Sequence, residues 1–451
     1  MAEISVMENV PEKVIIPLKQ HNGTVCEALV SKGDMVKEGQ KIGECTSDFC
    51  ASVHSSICGE VVSIEEAPMP SGTKVMSVII QPGEENECVD FTPQDATGGD
   101  LISIIKDAGI VENYGVPTHL VLKPGDGCTI DTVLVNATSA EWIWGDYKEP
   151  RDYALQILES LKLLMKASGA SKGAIVLRND NSESISAFDG LVFEGKRISV
   201  SPLVGKRRAS YYFKDQQSDI VVLSQNRIYG KSILDLFTYN VTGRRVPFNC
   251  KPASTGVAIC SVQSAKAFYD VVHEGRPYIE TVISVTGKVN KPQKILVKIG
   301  TPFKDVIEAC GGYKGEPGKL IANGAITGVA QYVDEVPVTK TTLSITVQDK
   351  GEVLRDEPLV CVHCARCVDV CPVDLIPSRL ATLADQGRFD ESNQMYVSNC
   401  IECGRCSAAC PTKIPILQLI RYAKEAIEKA YDDTAPKESS NLELGCSCGS
   451  V

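Results

Sequence analysis

The chain has 451 residues, 43% hydrophobic and 23% charged, and a formal net charge of −11. That length exceeds what one hydrophobic core serves and predicts three or four domains of ordinary soluble composition. The negative charge argues against nucleic acid or an anionic lipid surface as the main partner, and no stretch reaches the roughly 18–20 apolar residues of a membrane span.

The acidic start, Met1-Ala2-Glu3, lacks the basic and apolar segments of a secretory signal, so a cytoplasmic protein is expected. Residues 14–89 read as all-β, with alternating runs at 25–30, 59–64 and 74–80 between Gly and Pro turns. The segment Gly33-Asp34-x-Val36-x-x-Gly39-Gln40, followed by Val53-His54-Ser55 and by Gly59 and Val61, resembles a lipoyl-like barrel-sandwich hammerhead. A lipoyl domain would carry its modified lysine near Asp48; Phe49 follows here, so a docking or structural module is expected rather than a swinging arm.

Residues 100–272 alternate helix and strand. A helix at 101–108, a strand at 132–135, a long helix at 151–167 and strands at 173–178 and 219–223 suggest a layered, nucleotide-binding-like sheet. The clearest basic run, Lys206-Arg207-Arg208, reads as a solvated loop. Short strands return at 281–285 and 293–299, and a helix at 303–310 stops at Gly311-Gly312. With Gly300-Thr301-Pro302, this segment resembles a soluble-ligand-binding β-grasp (SLBB) domain, and residues 350–358 form a charged linker beyond it.

Nineteen cysteines in a long chain without a signal segment point to metal rather than disulfides. Eight are patterned: Cys361-x-x-Cys364-x-x-Cys367-x-x-x-Cys371-Pro372 and Cys400-x-x-Cys403-x-x-Cys406-x-x-x-Cys410-Pro411. This is the bacterial ferredoxin signature written twice, in which the fourth cysteine ligates the other cluster. Cluster I therefore takes Cys361, Cys364, Cys367 and Cys410, and cluster II takes Cys400, Cys403, Cys406 and Cys371, both as [4Fe–4S]. Paired zinc sites would leave the third cysteine and the C-x3-C-P of each run unexplained. Helices are expected at 375–387 and 414–430, the second amphipathic. Cys26, Cys45, Cys50, Cys58, Cys88, Cys128, Cys250, Cys260 and Cys310 read mostly as small buried hydrophobes. The polar tail at 435–441 reads as disordered, and the role of Cys446 and Cys448 beyond it stays open. The five histidines are dispersed; His363 could tune a cluster potential or simply belong to its loop.

Taken in this order, the chain resembles the C subunit of the Rnf ion-translocating electron-transport complex. The resemblance rests on Ile15-Ile16-Pro17-Leu18-x-Gln20-His21, the hammerhead, Pro117-Thr118-His119, Arg245-Val246-Pro247, Val336-Pro337-Val338-Thr339-Lys340 and the double ferredoxin signature. It implies a multidomain α/β and β fold. Residues 1–92 would be the barrel sandwich, 93–275 an α/β domain like the flavin subunit of respiratory complex I, 276–349 the SLBB domain, 350–432 the two-cluster ferredoxin-type domain and 433–451 a disordered tail. It further implies a peripheral subunit on the cytoplasmic side of the membrane, without a span of its own. Its partners would be other complex subunits and ferredoxin or an iron–sulfur subunit, not nucleic acid.

Family members hold FMN and NADH with a glycine-rich loop before a Phe-Pro-Thr-His segment and with an acidic segment after a strand. The first reads Gly109-Ile110-Val111-Glu112-Asn113-Tyr114-Gly115-Val116-Pro117-Thr118-His119 here, with two separated glycines and an added carboxylate. The second reads Asn136-Ala137-Thr138-Ser139-Ala140-Glu141-Trp142-Ile143-Trp144, without the paired acids. A phosphate cradle without its glycines fails sterically, so FMN and NADH binding is placed in doubt and an electron relay is expected. The alternatives are an FMN-containing NADH:ferredoxin oxidoreductase subunit, with Trp142 and Trp144 stacking on the flavin, and a docking scaffold. No catalytic triad or carboxylate pair stands out.

Overall fold

A computed structural model describes the chain except residues 1–4, 8–10, 45–46, 48, 84–86, 90–99, 124–128, 139–149, 206, 227–233, 248–249, 354–359 and 435–451. Strands Val14–Pro17, Lys74–Pro82, Gly59–Pro68 and Met35–Val36 lie in that order in one antiparallel sheet, and Glu27–Ala28, Lys41–Glu44 and Val53–His54 in another. Alternation turns Val14, Ile16, Ile42, Val53, Val61, Val78 and Ile80 into one buried core between them.

The second module is a five-stranded parallel sheet, ordered Val200–Pro202, Ile220–Gln225, Lys172–Arg178, Thr132–Ala137, Val257–Ser261. Its central strands are covered on both faces, which is why they read as continuous apolar runs. Helices Pro150–Ser168 and Val262–Glu274 supply Tyr153, Ile157, Leu161 and Phe268 to one face. Tyr212, Phe213, Phe237 and Val241 cover the other. Strand Thr132–Ala137 is followed in sequence by its neighbour on one side, whereas Val257–Ser261 flanks it on the other. The order thus reverses between these two, and the crevice at their carboxyl ends is where such sheets take ligands. Of the basic run, Lys206 lies outside the described residues, Arg207 is exposed and stacks over Tyr211, and Arg208 is half-buried, stacks over Tyr239 and donates to the Asn240 carbonyl.

The third module is a six-stranded sheet ordered Ser5–Val6, Gln293–Lys298, Glu280–Gly287, Ser344–Asp349, Pro317–Ala322, Val329–Gln331, with helix Phe303–Ala309 on its core. The edge strand Ser5–Val6 comes from the other end of the chain and pairs parallel to Ile295 and Leu296. Helices Pro377–Asp385, Phe389–Gln394 and Ile416–Thr434 complete the C-terminal module around Leu380, Ala384, Val397, Ile420 and Ala423. The first of these starts later than expected because Pro377 takes the opening helical position, leaving Leu375 and Ile376 in the turn. Among the described residues no helix is long and apolar enough to cross a membrane. Cys26, Cys260 and Cys310 are buried thiols, but Cys88 is exposed and Cys50 and Cys250 are disulfide-bonded. Those three depart from the expectation because an isolated cysteine carries no spacing signal. Cys446 and Cys448 lie outside the described residues.

Candidate functional site

Both cysteine runs wrap the same backbone. His363, Ala365 and Asp374 have φ of 53°, 60° and 54°, and their counterparts 39 positions later, Glu402, Gly404 and Lys413, have 53°, 71° and 58°. Left-handed residues at matched steps curl each run so that its first three sulfurs face one side. The short helices Arg366–Asp369 and Arg405–Ala409 then carry the chain to the fourth cysteine.

One cavity is lined by Cys371, Cys400, Cys403 and Cys406 and walled by Leu375, Leu417 and Ile420. A second is lined by Cys361, Cys364, Cys367 and Cys410 with Ile414 and Ile416. The fourth cysteine of each run thus stands with the first three of the other. Among the described residues no three His, Cys, Asp or Glu side chains converge on a point where one metal ion could sit. Thiols set around a volume fit a cubane, each iron taking one cysteine sulfur beside its three sulfides, better than a tetrahedral zinc. Leu375 N–H donates to Cys371 Sγ at 3.4 Å, and the Thr412 hydroxyl lies 3.3 Å from Cys410 Sγ. Such contacts to sulfur set cluster potential. Burial, with Cys400 beside it, pushes the Cys406 thiol up to about 12, so this sulfur is protonated at neutral pH unless a bound metal displaces the proton. His363 lies exposed at the rim of the second cavity and makes no hydrogen bond among the described residues.

A second convergence joins three modules. Lys340 is fully buried; its Nζ donates to the Ser52 carbonyl at 3.0 Å and the Gly109 carbonyl at 2.7 Å, and its backbone N–H to Gln20 Oε1 at 3.2 Å. Tyr278 closes the site, its ring centroid 5.9 Å from Nζ. Burial lowers Lys340 to about 7, and burial together with Lys340 holds His21 at about 4. Sequence reasoning missed this junction, although Gln20, His21 and Lys340 all belong to the motifs quoted above.

The glycine-bearing loop packs inward. Gly109 N–H donates to the Lys106 carbonyl, Glu112 N–H to Val116 and Gly115 N–H to Glu112, so these amides are spent within the chain. A Cβ at Gly109 would lie 2.2 Å from the Ser52 carbonyl oxygen, and one at Gly115 2.6 Å from Asn22 Oδ1. Both glycines therefore serve close approach of the N-terminal module. The Glu112 carboxylate, the charge added to this loop, is buried. Its Oε2 accepts from Ser261 N–H at 2.6 Å and Ser264 Oγ at 2.8 Å, and its Oε1 from Thr118 Oγ1 at 2.9 Å. It thereby fills the N-terminus of helix Val262–Glu274 at the strand-order reversal, where an anionic ligand group would gain most. The described residues do not fit a phosphate here; the Ser139–Trp144 part of the acidic-segment position lies outside them.

Burial outweighs those three donors and raises Glu112 to about 7 from an ordinary 4.5. Between these values the unfolded chain loses the proton while the native chain keeps it, so stability falls as pH rises, by up to about 1.4 kcal/mol per unit. Glu112→Gln is expected to flatten the fall in thermal midpoint between pH 4.5 and 7. A fall that survives the substitution would assign it to another group.

This fold and its paired four-cysteine cavities define an iron–sulfur protein of the electron-transport class. Family models match a RnfC barrel sandwich hybrid domain at residues 2–85, a Nuo51 FMN-binding domain at 105–270, an SLBB domain at 282–330 and a 4Fe-4S dicluster domain at 360–414. The chain belongs to the C-subunit family of Rnf-type ion-translocating oxidoreductase complexes, being 50% identical, over 96% of each chain, to the C subunit of the ion-translocating oxidoreductase complex of Methanosarcina acetivorans. It is 33% identical to the C subunit of the Na(+)-translocating ferredoxin:NAD(+) oxidoreductase complex of Acetobacterium woodii, over 92% of this chain and 91% of that one. A solved NAD+-reducing [NiFe]-hydrogenase chain superposes with a TM-score of 0.44 at 16% identity, covering 78% of this chain and 69% of that one.

Proposed function

We propose that this chain is a peripheral relay subunit of a membrane-bound, ion-pumping complex, on the cytoplasmic side. It would pass electrons between ferredoxin, or an iron–sulfur subunit, and downstream carriers without binding NADH. Cys361, Cys364, Cys367 and Cys410 hold one [4Fe–4S] cluster, and Cys400, Cys403, Cys406 and Cys371 the other. The observation that carries this reading is the crossed lining of the two cavities. Each bound cluster supplies a reversible one-electron couple. The chain's own part is to place the two sites side by side, exclude water with Leu375, Leu417, Ile414 and Ile416, and direct the Leu375 amide at a sulfur. The inward-turned Glu112 and the internally bonded loop support the absence of nicotinamide chemistry.

A second reading, an FMN-containing NADH-linked subunit, is favoured by the match of residues 105–270 to the Nuo51 FMN-binding model. Cluster-reconstituted protein followed by EPR separates the two. Reduction by ferredoxin but not by NADH, with no flavin on the protein, is the expected result. Reduction by NADH with bound flavin would establish the second reading instead.

A further inference from the structure

The two cysteine runs share a spacing and a backbone, yet their surroundings differ. In the second run Cys403, Gly404 and Cys406 are buried. Their cover is the turn after strand Pro317–Ala322: a Cβ at Gly404 would lie 2.6 Å from Ile326 Cγ2, and Arg421 Nη2 donates to the Thr327 carbonyl at 2.8 Å. The nearby charges are spent, Glu402 pairing with Arg421 at 2.8 Å and Lys424 at 2.9 Å. In the first run every residue from Val362 to Arg366 is exposed, the ligand Cys364 among them, and Ala365 stands where the covered run requires glycine.

Around that open edge Val360 and Val362 are 86% and 63% exposed. Three exposed cations flank residues lining the cavity: Arg366 beside Cys367, Arg379 beside Ser378 and Lys413 beside Thr412. Among the described residues none of the three joins an ion pair. An acidic chain of net charge −11 thus shows positive charge and bare valines where a cluster ligand reaches the surface, with only Arg379 of the three, among the described residues, acting on a carboxylate, that of Glu391.

We propose that the open edge of the first run is the docking surface for an acidic protein that carries a one-electron iron–sulfur centre near its own surface. The proposal rests on the reading that the adjoining cavity holds a [4Fe–4S] cluster. Opposite charge steers the encounter, and Val360 and Val362 supply the dry contact. One electron leaves the partner's reduced centre, which is oxidised, and reduces the cluster in this cavity; no bond forms or breaks and no proton is required. An anionic membrane is the weaker occupant, because recognition of lipid headgroups draws on roughly 4–8 clustered cations.

The test uses the full chain with reconstituted clusters and, as probe, an acidic two-[4Fe–4S] bacterial ferredoxin, pre-reduced and freed of reductant. In the doubly substituted Arg366→Glu/Lys413→Glu protein the second-order rate of cluster reduction is expected to fall about tenfold at low ionic strength and to lose its salt dependence. Arg405→Glu, a single charge reversal of the same kind beside the covered run, is expected to leave the rate within about twofold, since it lies on the other cysteine run and outside the proposed contact. Iron, sulfide and EPR are measured on each sample. Absence of clusters from the wild-type chain would overturn the underlying reading. Intact clusters with an unchanged rate in the double variant, or an equal loss in Arg405→Glu, would overturn the docking surface. So would loss of binding to phosphatidylglycerol vesicles in the double variant while its ferredoxin rate holds, which would assign the edge to lipid.

Discussion

Cys371→Ser is expected to abolish cluster II and spare cluster I, although Cys371 belongs by sequence to the first run. Anaerobically reconstituted wild type should hold about eight irons and eight sulfides, and the variant about four of each, from the four-iron, four-sulfide content of each cubane. The remaining EPR signal should match that left by Cys403→Ser, whose residue lines the same cavity, and differ from that left by Cys410→Ser, whose residue lines the other. Electron flow through the chain should stop in all three. Cysteines 367, 371, 400, 406 and 410 also pack within the apolar cluster of the C-terminal module, so stripping the iron should loosen that module. If Cys371→Ser loses the same signal as Cys364→Ser, the ligands are not crossed, and zinc without sulfide would end the iron–sulfur assignment.

The cysteine pattern was legible because ligand geometry forces it: three sulfurs on one curled turn and a fourth on the neighbouring run leave little freedom in spacing. The parallel strands at 172–178 and 220–225 were legible for a related reason, since burial on both faces imposes a continuous apolar run. What could not be read was decided between modules. Ser5–Val6 is too short to carry a period, and its partner lies near residue 295. The burial of Glu112 and Lys340 could not be read, because nothing local says that a loop carboxylate will meet Ser261 or that a lysine will meet carbonyls at 52 and 109. The signal that could have found the junction was available in another form. Gln20-His21 and Thr339-Lys340, polar pairs inside apolar motifs, are odd as isolated surface but sensible as one buried contact.

Lys340 gives that contact a measurable signature. Its burial without a carboxylate lowers it to about 7 from an ordinary 10.5. Below pH 7 both native and unfolded chains carry the proton, and the cost of burying the charge is present in full. From 7 to 10.5 the unfolded chain holds the proton and the native chain releases it, so stability rises with pH by up to about 1.4 kcal/mol per unit. Its neighbours His21, held at about 4, and His54, held well below 6.5 by burial and then by Lys340, titrate beneath that window. Lys340→Met is expected to abolish the rise in thermal midpoint between pH 7 and 9.5. At the alkaline end it should also lower stability by about 1–3 kcal/mol, because the Ser52 and Gly109 carbonyls lose their shared donor. Since those carbonyls belong to the N-terminal and α/β modules, limited proteolysis at pH 9 should cleave the variant between modules sooner than wild type. A variant that keeps the alkaline rise would place the titrating group elsewhere. One that loses the rise but resists protease would mean that Lys340 sets the pH response without holding the modules together.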